Sequence, residues 1–345
     1  MTSRELVIRT LNLEPTDRAP RDLWIAPGME TTHADALAEI NLRFPNDIIQ
    51  PEVALPVGKR TRGKPNRTDE YTDAWGCTWQ VIQPSIPPVL KSSPLAEKGK
   101  IAEFRPPLEL LDSARFSQVN KSCESTSRFV LAWSEAQLFD RLRWLRGSDV
   151  ALVDLARGTK DVRNLLKILH EFCCKEMEIW ANTEVDGVII RDDWGTADSL
   201  VLSLEMWREI FKPLYHEYFK ILHAKDKFVF FYSNGYILDI IGDLIKEGVD
   251  AIHLQLHLMD VEKLAKRFRG RVTFWAEIDP QGVLRSGNLS QVREAVLRIR
   301  RALEFGSGGV IAQCQWDCDV PLQVIAAVFE QWLAPLPMHG QKSTQ

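Results

Sequence analysis

Two stretches, TEVDGVIIRDD (183–193) and KEGVDAIHLQ (246–255), repeat one pattern: a helix end, a tight turn, then an apolar strand closing on polar residues. Working outward from them, apolar runs rich in Val, Ile and Phe recur at 22–26, 47–50, 129–133, 188–192, 228–233, 251–255, 272–277 and 310–314. They alternate little with polar residues, as strands buried on both faces do. Helical patterns separate them. Ser290 is placed to cap a helix with apolar positions Val292, Ala295, Val296, Ile299 and Leu303. Ser203 precedes LEMWREIFKP, which Pro213 ends or kinks. Residues 237–246 read as a helix closed by Gly248. Alternating strands and helices predict a parallel sheet, and eight such units predict an α/β fold, a (β/α)8 TIM barrel. Residues 1–345 read as one domain, with no linker. After the second strand, residues 55–125 form a long excursion rich in Pro, Gly and charge. Within it YTDAWGCTWQVI (71–82) reads as a hairpin, and an excursion of that length suits a lid or a wall of a site.

The chain has 345 residues, 45% hydrophobic and 26% charged, enough for a sizeable core without staples. A formal net charge of -4 gives no bulk case for nucleic acid or an anionic membrane. The basic run KRTRGKPNR (59–67) reads as a solvated loop rather than a dock for an acidic partner. No apolar stretch approaches the ~20 residues a bilayer needs. Six cysteines without CxxC spacing, and no secretory signal before the amphipathic MTSRELVIRTL, predict a cytoplasmic protein with free thiols. GSGG (306–309) precedes a strand, so it reads as a helix-to-strand turn and not a phosphate loop.

Barrel enzymes carry their chemistry at the C-terminal strand ends. That rule selects Trp24, Asp47 and Gln50; Arg191, Asp192 and Asp193; Tyr232, Ser233 and Asn234; His253, Gln255 and His257; Glu277 and Asp279; and Cys314, Asp317 and Cys318. Adjacent side chains at a strand end diverge, so at most one carboxylate need enter the barrel mouth. Beside Arg191, Asp192 and Asp193 read as an acid/base group or substrate anchor, as a helix N-cap pair, or as one of each. His253 and His257 sit on a strand, too far apart along it to share an ion. Cys314 with Cys318 is weak as a zinc pair; alone, Cys314 reads as a small hydrophobe or a reactive thiol. A carboxylate at Glu277 beside Asp279 should raise the pKa of one of them, unless Arg191 or Arg271 pairs with it.

The residues also resemble a known family. RTLNLEPTDRAPRDLW (9–24), DEYTDAWGCTW (69–79), LFDRLRWLRG (138–147), DGVIIRDDWGTADSLVLSLEMWREIFKP (186–213), FVFFYSNG (228–235), TFWAEIDPQG (273–282) and CDVP (318–321) occur in order, as in the uroporphyrinogen decarboxylase superfamily. The resemblance implies one of two activities. One branch decarboxylates the acetate side chains of uroporphyrinogen without metal or organic cofactor. The other moves methyl groups between a corrinoid protein and a thiol, on zinc held by His-x-Cys after strand five and Cys after strand eight. Both signatures are altered here. The stretch after strand one, IAPGMETTH (25–33), lacks the decarboxylases' arginines, and Arg21 is an imperfect substitute. Tyr232-Ser233-Asn234 replaces His-x-Cys, and only Cys314 matches a zinc ligand.

The expectation drawn from both readings is a carboxy-lyase acting on a small carboxylated substrate, in one version derived from a tetrapyrrole. Asp192, Tyr232, Asp47 and Glu277 are the candidate catalytic residues. Trp24, Arg191, Asp193, Asn234, Gln255, Asp279 and Cys314 are candidates for substrate binding. No metal or cofactor is expected. The alternatives are corrinoid-dependent methyl transfer, with zinc at Cys314 and a corrinoid protein as partner, and a non-catalytic binding barrel. Family members pair as homodimers, although no interface pattern is visible in the sequence.

Overall fold

The computed structural model describes residues 1–54, 58–65, 69–83, 87–97, 99–304, 306 and 308–336. Parts of three stretches read above, the 55–125 excursion, the basic run at 59–67 and the GSGG turn, lie outside those residues. The strands in chain order are β1 Arg21–Ile25, β2 Ile48–Ile49, β3 Glu70–Thr72, β4 Thr78–Gln80, β5 Val89–Ser92, β6 Phe129–Trp133, β7 Gly187–Arg191, β8 Phe228–Tyr232, β9 Ala251–Leu254, β10 Thr273–Ala276 and β11 Val310–Trp316. β1, β2 and β6–β11 supply the eight-stranded sheet of a (β/α)8 barrel. The chain divides into two compact units, residues 1–49 with 250–345, and residues 50–249.

In the first unit the order is β1-β11-β10-β9, all parallel. Helix Leu289–Leu303 buries Val292, Val296, Ile299 and Leu303, one stripe at helical spacing. Its cap is Asn288, which accepts from the Ser290 and Gln291 amides at 3.0 and 3.2 Å, so Ser290 lies in the first turn and does not cap the helix.

In the second unit β6, β7 and β8 are parallel neighbours. The hairpin expected at 71–82 is β3 and β4, and β5 extends it to three antiparallel strands. Asp73 builds the turn: its carboxylate accepts from the Trp75 and Cys77 amides at 2.9 Å each and from Trp79 Nε1 at 2.9 Å. Ser203 does cap its helix, accepting from the Met206 amide at 3.2 Å. Pro213 does not end that run: it lies in the first turn of the helix that continues it. A π-turn over Trp207–Phe211 leads into helix Lys212–His223. Gly248 closes helix Leu238–Glu247 at φ 111°, as expected. Among the described residues no helix is long and apolar enough to cross a membrane, and all six cysteines are free thiols.

Candidate active site

The register of the first unit sorts its side chains. Residues opposite one another in a parallel pair share a face, and the face alternates along each strand. Asp22 is opposite Gln313, Trp24 opposite Gln315, and Trp275 opposite both Ile311 and His253. These residues therefore line one face, and Glu277, two past Trp275, continues it. Leu23 opposite Cys314, and Ala276 opposite Ala312 and Leu254, line the other.

Contacts on the first face agree. Trp24 Nε1 and Trp275 Nε1 both donate to Asp22 Oδ2 at 2.8 Å. Trp24 stacks on His253, centroids 5.1 Å apart and 12° between planes, while Trp275 stands edge-on to both rings. Glu277 Oε1 lies 4.0 Å from His253 Nε2. Among the described residues, Glu277 Oε2 and both polar atoms of the fully buried Gln313 amide have no hydrogen-bond partner. Buried polar atoms rarely lack one, so these three atoms are open to a water or a polar ligand group.

The electrostatics follow from burial. Glu277 is pushed up to about 8, by burial first and then by Asp279 and Asp317. The contribution of Asp279 was legible in the sequence; the larger one, burial, was not. Burial also raises Asp22 to about 7, against the two indole bonds, and holds His253 down to about 3. Near pH 7 the face thus carries a protonated glutamic acid next to a neutral imidazole. A donor with a pKa near the working pH is suited to general acid catalysis. The alternative partner Arg271 is exposed, over the Phe268 ring.

Several expected residues of this unit are placed elsewhere. Asp47 precedes β2 and lies beside Arg21, which begins β1, so it sits at N-terminal strand ends. Arg18 grips it through two nitrogens at 2.6 and 2.8 Å, joined by Ser3 Oγ at 2.7 Å and the Arg21 amide at 2.8 Å. Burial opposes ionisation, but these donors outweigh it and hold the carboxyl below its usual range. Asp47 is a staple in place of the polar anchor expected. Arg21 is likewise occupied, with Nε 3.2 Å from the Pro45 carbonyl.

Cys314 also departs from expectation. β11 runs on to Trp316, and the thiol is fully buried on the face opposite Gln313. Burial, with Glu277 and Asp317, lifts it far above the ordinary thiol range. It is a buried small hydrophobe, not a thiolate or a substrate contact. Among the described residues no three His, Cys, Asp or Glu side chains converge there, so the donor set does not fit zinc. Asp279 caps the turn Pro280–Leu284, accepting from the Gln281 and Gly282 amides at 3.0 and 2.9 Å. Gln255 is half-buried just past β9. His257 falls in the 3-10 turn Leu256–Leu258, exposed, and so does not share His253's face.

In the second unit the Arg191-Asp192-Asp193 triplet diverges. Asp192 is fully buried on the helix side of the sheet. It accepts from the Phe139 and Asp140 amides at 3.0 and 2.9 Å and from Tyr215 OH at 2.5 Å. Burial, then Asp140, raises its pKa. It caps helix Leu138–Arg146, whose own N-cap residue, Gln137, makes no capping bond. This corrects the catalytic assignment of Asp192: the capping reading describes it.

Arg191, Asp193, Tyr232 and Asn234 are brought together. Asp193 accepts from the Asn234 amide and Nδ2 at 3.0 and 3.1 Å, and Tyr232 OH donates to Asn234 Oδ1 at 2.9 Å. Arg191 lies 5.6 Å over the Trp133 ring and donates to the Gln137 side-chain oxygen, with Nε at 2.9 Å. Gly195 lets the two strand ends press together: a Cβ there would overlap Tyr236 N and Gly235. That packing explains the glycine of the DDWG run.

The architecture defines a (β/α)8-barrel protein with an acid-bearing face at C-terminal strand ends. Residues 142–332, more than half of the chain, match the family described as uroporphyrinogen decarboxylase (URO-D), and the chain belongs to that family. Among solved structures it is similar to a methyltransferase from Methanosarcina mazei. That match has TM-score 0.67 and 15% identity, and covers 96% of this chain and 98% of that one. It is also similar to the native xylanase 10B from Thermotoga maritima, with TM-score 0.50, 12% identity and the same coverages. At such identities the likeness is one of fold. No curated protein matches it in sequence.

Proposed function

We propose that the chain is a carboxy-lyase acting on a small carboxylated substrate, with Glu277 delivering the proton that replaces the departing CO2. The observation that carries this reading is the Glu277 carboxyl: buried, pushed up to about 8, and with Oε2 unpartnered among the described residues. On C–CO2 cleavage the electron pair stays on carbon. The Glu277 proton then forms the new C–H bond, and the carboxylate regains a proton from solvent. The Gln313 amide has two donors and an acceptor for a polar substrate group. Trp24 and Trp275 supply a low-dielectric wall, where a substrate carboxylate loses hydration and CO2, being neutral, is favoured.

The test is incubation with uroporphyrinogen, following CO2 release and product by chromatography. Turnover that is lost in Glu277→Gln supports the reading. No turnover above blank from folded protein removes the tetrapyrrole version. Turnover that survives Glu277→Gln but is lost in Tyr232→Phe moves the donor role to the phenol. Demethylation of methylcobalamin by zinc-loaded protein would replace the reading with corrinoid-dependent methyl transfer.

A further inference from the structure

We propose that His170 and Cys174 on helix Lys160–Ala181, with Glu217 on helix Lys212–His223, form a binding site for a divalent cation of the zinc class. His170 and Cys174 are four apart on one helix and so share a face. His170 Nε2 lies 3.7 Å from Cys174 Sγ and 3.1 Å from Glu217 Oε2. Zinc bonds of about 2.3 Å to sulfur and about 2.0–2.1 Å to nitrogen and oxygen, at tetrahedral angles, set such ligand atoms roughly 3.4–3.6 Å apart. These two spacings bracket that range, and the three ligand atoms all lie within 4.8 Å of one another.

The other ring nitrogen supports the same reading. His170 Nδ1 is 2.9 Å from the hydroxyl of Tyr218, a residue only 1% exposed. A metal-bound histidine ordinarily anchors its second nitrogen in this way, which fixes the ring and aims the first nitrogen at the ion. With Nδ1–H donating to Tyr218, the Nε2 lone pair faces the Glu217 carboxylate and a cation between them satisfies both; in the other tautomer the Tyr218 hydroxyl donates to Nδ1 and Nε2–H donates to Glu217, the arrangement that a bound ion would replace. A proton is the competing occupant. Glu171, Glu178 and Glu217 surround Cys174 with negative charge, a field that concentrates cations. The mixed sulfur, nitrogen and oxygen set selects a borderline ion over magnesium or calcium, which take oxygen ligands. Glu217 is 57% exposed, leaving an entry path and room for water as fourth ligand. The ion would staple the two helices together.

The experiment uses the full chain, stripped with chelator and titrated with cobalt(II) as a spectroscopic probe. Zinc(II) affinity is then measured by competition with a chromogenic chelator. The expected result is one equivalent bound, with a thiolate-to-cobalt charge-transfer band that Cys174→Ser abolishes and Cys318→Ser leaves intact. Tyr218→Phe, which keeps the ring, should weaken zinc binding at least about tenfold. No thiolate band, or one unchanged in Cys174→Ser, overturns the proposal. Should Cys174→Ser fail to fold, the surface variant Glu217→Gln decides: unchanged zinc affinity refutes the site, and a loss of about tenfold or more supports it.

Discussion

In the proposed reaction, Glu277 is the residue on which the chemistry turns. An acid that stays protonated to about pH 8 can donate where an ordinary glutamate is already ionised. Turnover should therefore hold through neutrality and fall as pH rises past about 8. Glu277→Gln should lose on the order of 10²–10⁴-fold in kcat and, in any residual rate, the alkaline limb. An unchanged limb in that variant would assign it to another group. Glu277 could be read from the sequence because it stands two residues from Asp279 at an evident strand end. Asp22 and Gln313 could not. Each lies inside a run that reads as buried strand, and only the register reveals that both share the face of Trp24 and Trp275. Cys314 failed for the same reason: two further residues of β11 place it mid-strand, on the other face.

At the scale of elements, Asp192 ties β7 to helix Leu138–Arg146. It satisfies two amides of a helix start that has no capping side chain of its own. Asp192→Ala leaves those amides and Tyr215 OH without their acceptor, and should cost about 1–3 kcal/mol. Denaturant titration measures that loss, and hydrogen exchange should quicken at the Phe139 and Asp140 amides. Slow exchange at both amides in the variant would show that the cap is dispensable. The strands were legible to within about two residues, because parallel strands buried on both faces leave continuous apolar runs. β5, VLKS, was not legible: it is mostly exposed with no apolar run, and its pairing with β4 alone makes it a strand. For the triplet at the end of β7, the sequence left acid/base work and helix capping both open, and packing against Phe139, Asp140 and Tyr215 puts Asp192 in the capping position.

For the whole molecule, the buried groups predict the pH dependence of stability. Asp22, Glu176 and Glu277 have folded pKa values raised to about 7, 7 and 8. Their contribution is fully present below the ordinary carboxylate range and is lost as pH climbs through those values. His253, held to about 3, works in the opposite sense: its contribution is present above about 6.5 and is lost as pH falls toward 3. Above about pH 4 three carboxyls lose stability against the one histidine that gains it, so Tm should peak near pH 4 and decline on both sides. A Tm still rising from pH 6 to 9 would contradict these burials. The barrel class itself was legible because eight strand–helix repeats are a property of the pattern. The charge states were not, because they depend on burial that no local stretch encodes.

The proposed chemistry requires that Glu277 carry a proton at neutral pH. Infrared difference spectroscopy across a pH titration reads this directly, through the carbonyl stretch of a protonated carboxyl, with Glu277→Gln as the reference that removes only this group. The expected result is a band present at pH 7, titrating near 8 and absent from the variant. A spectrum at pH 7 that is identical in the two proteins, with Glu277 already ionised, would contradict it.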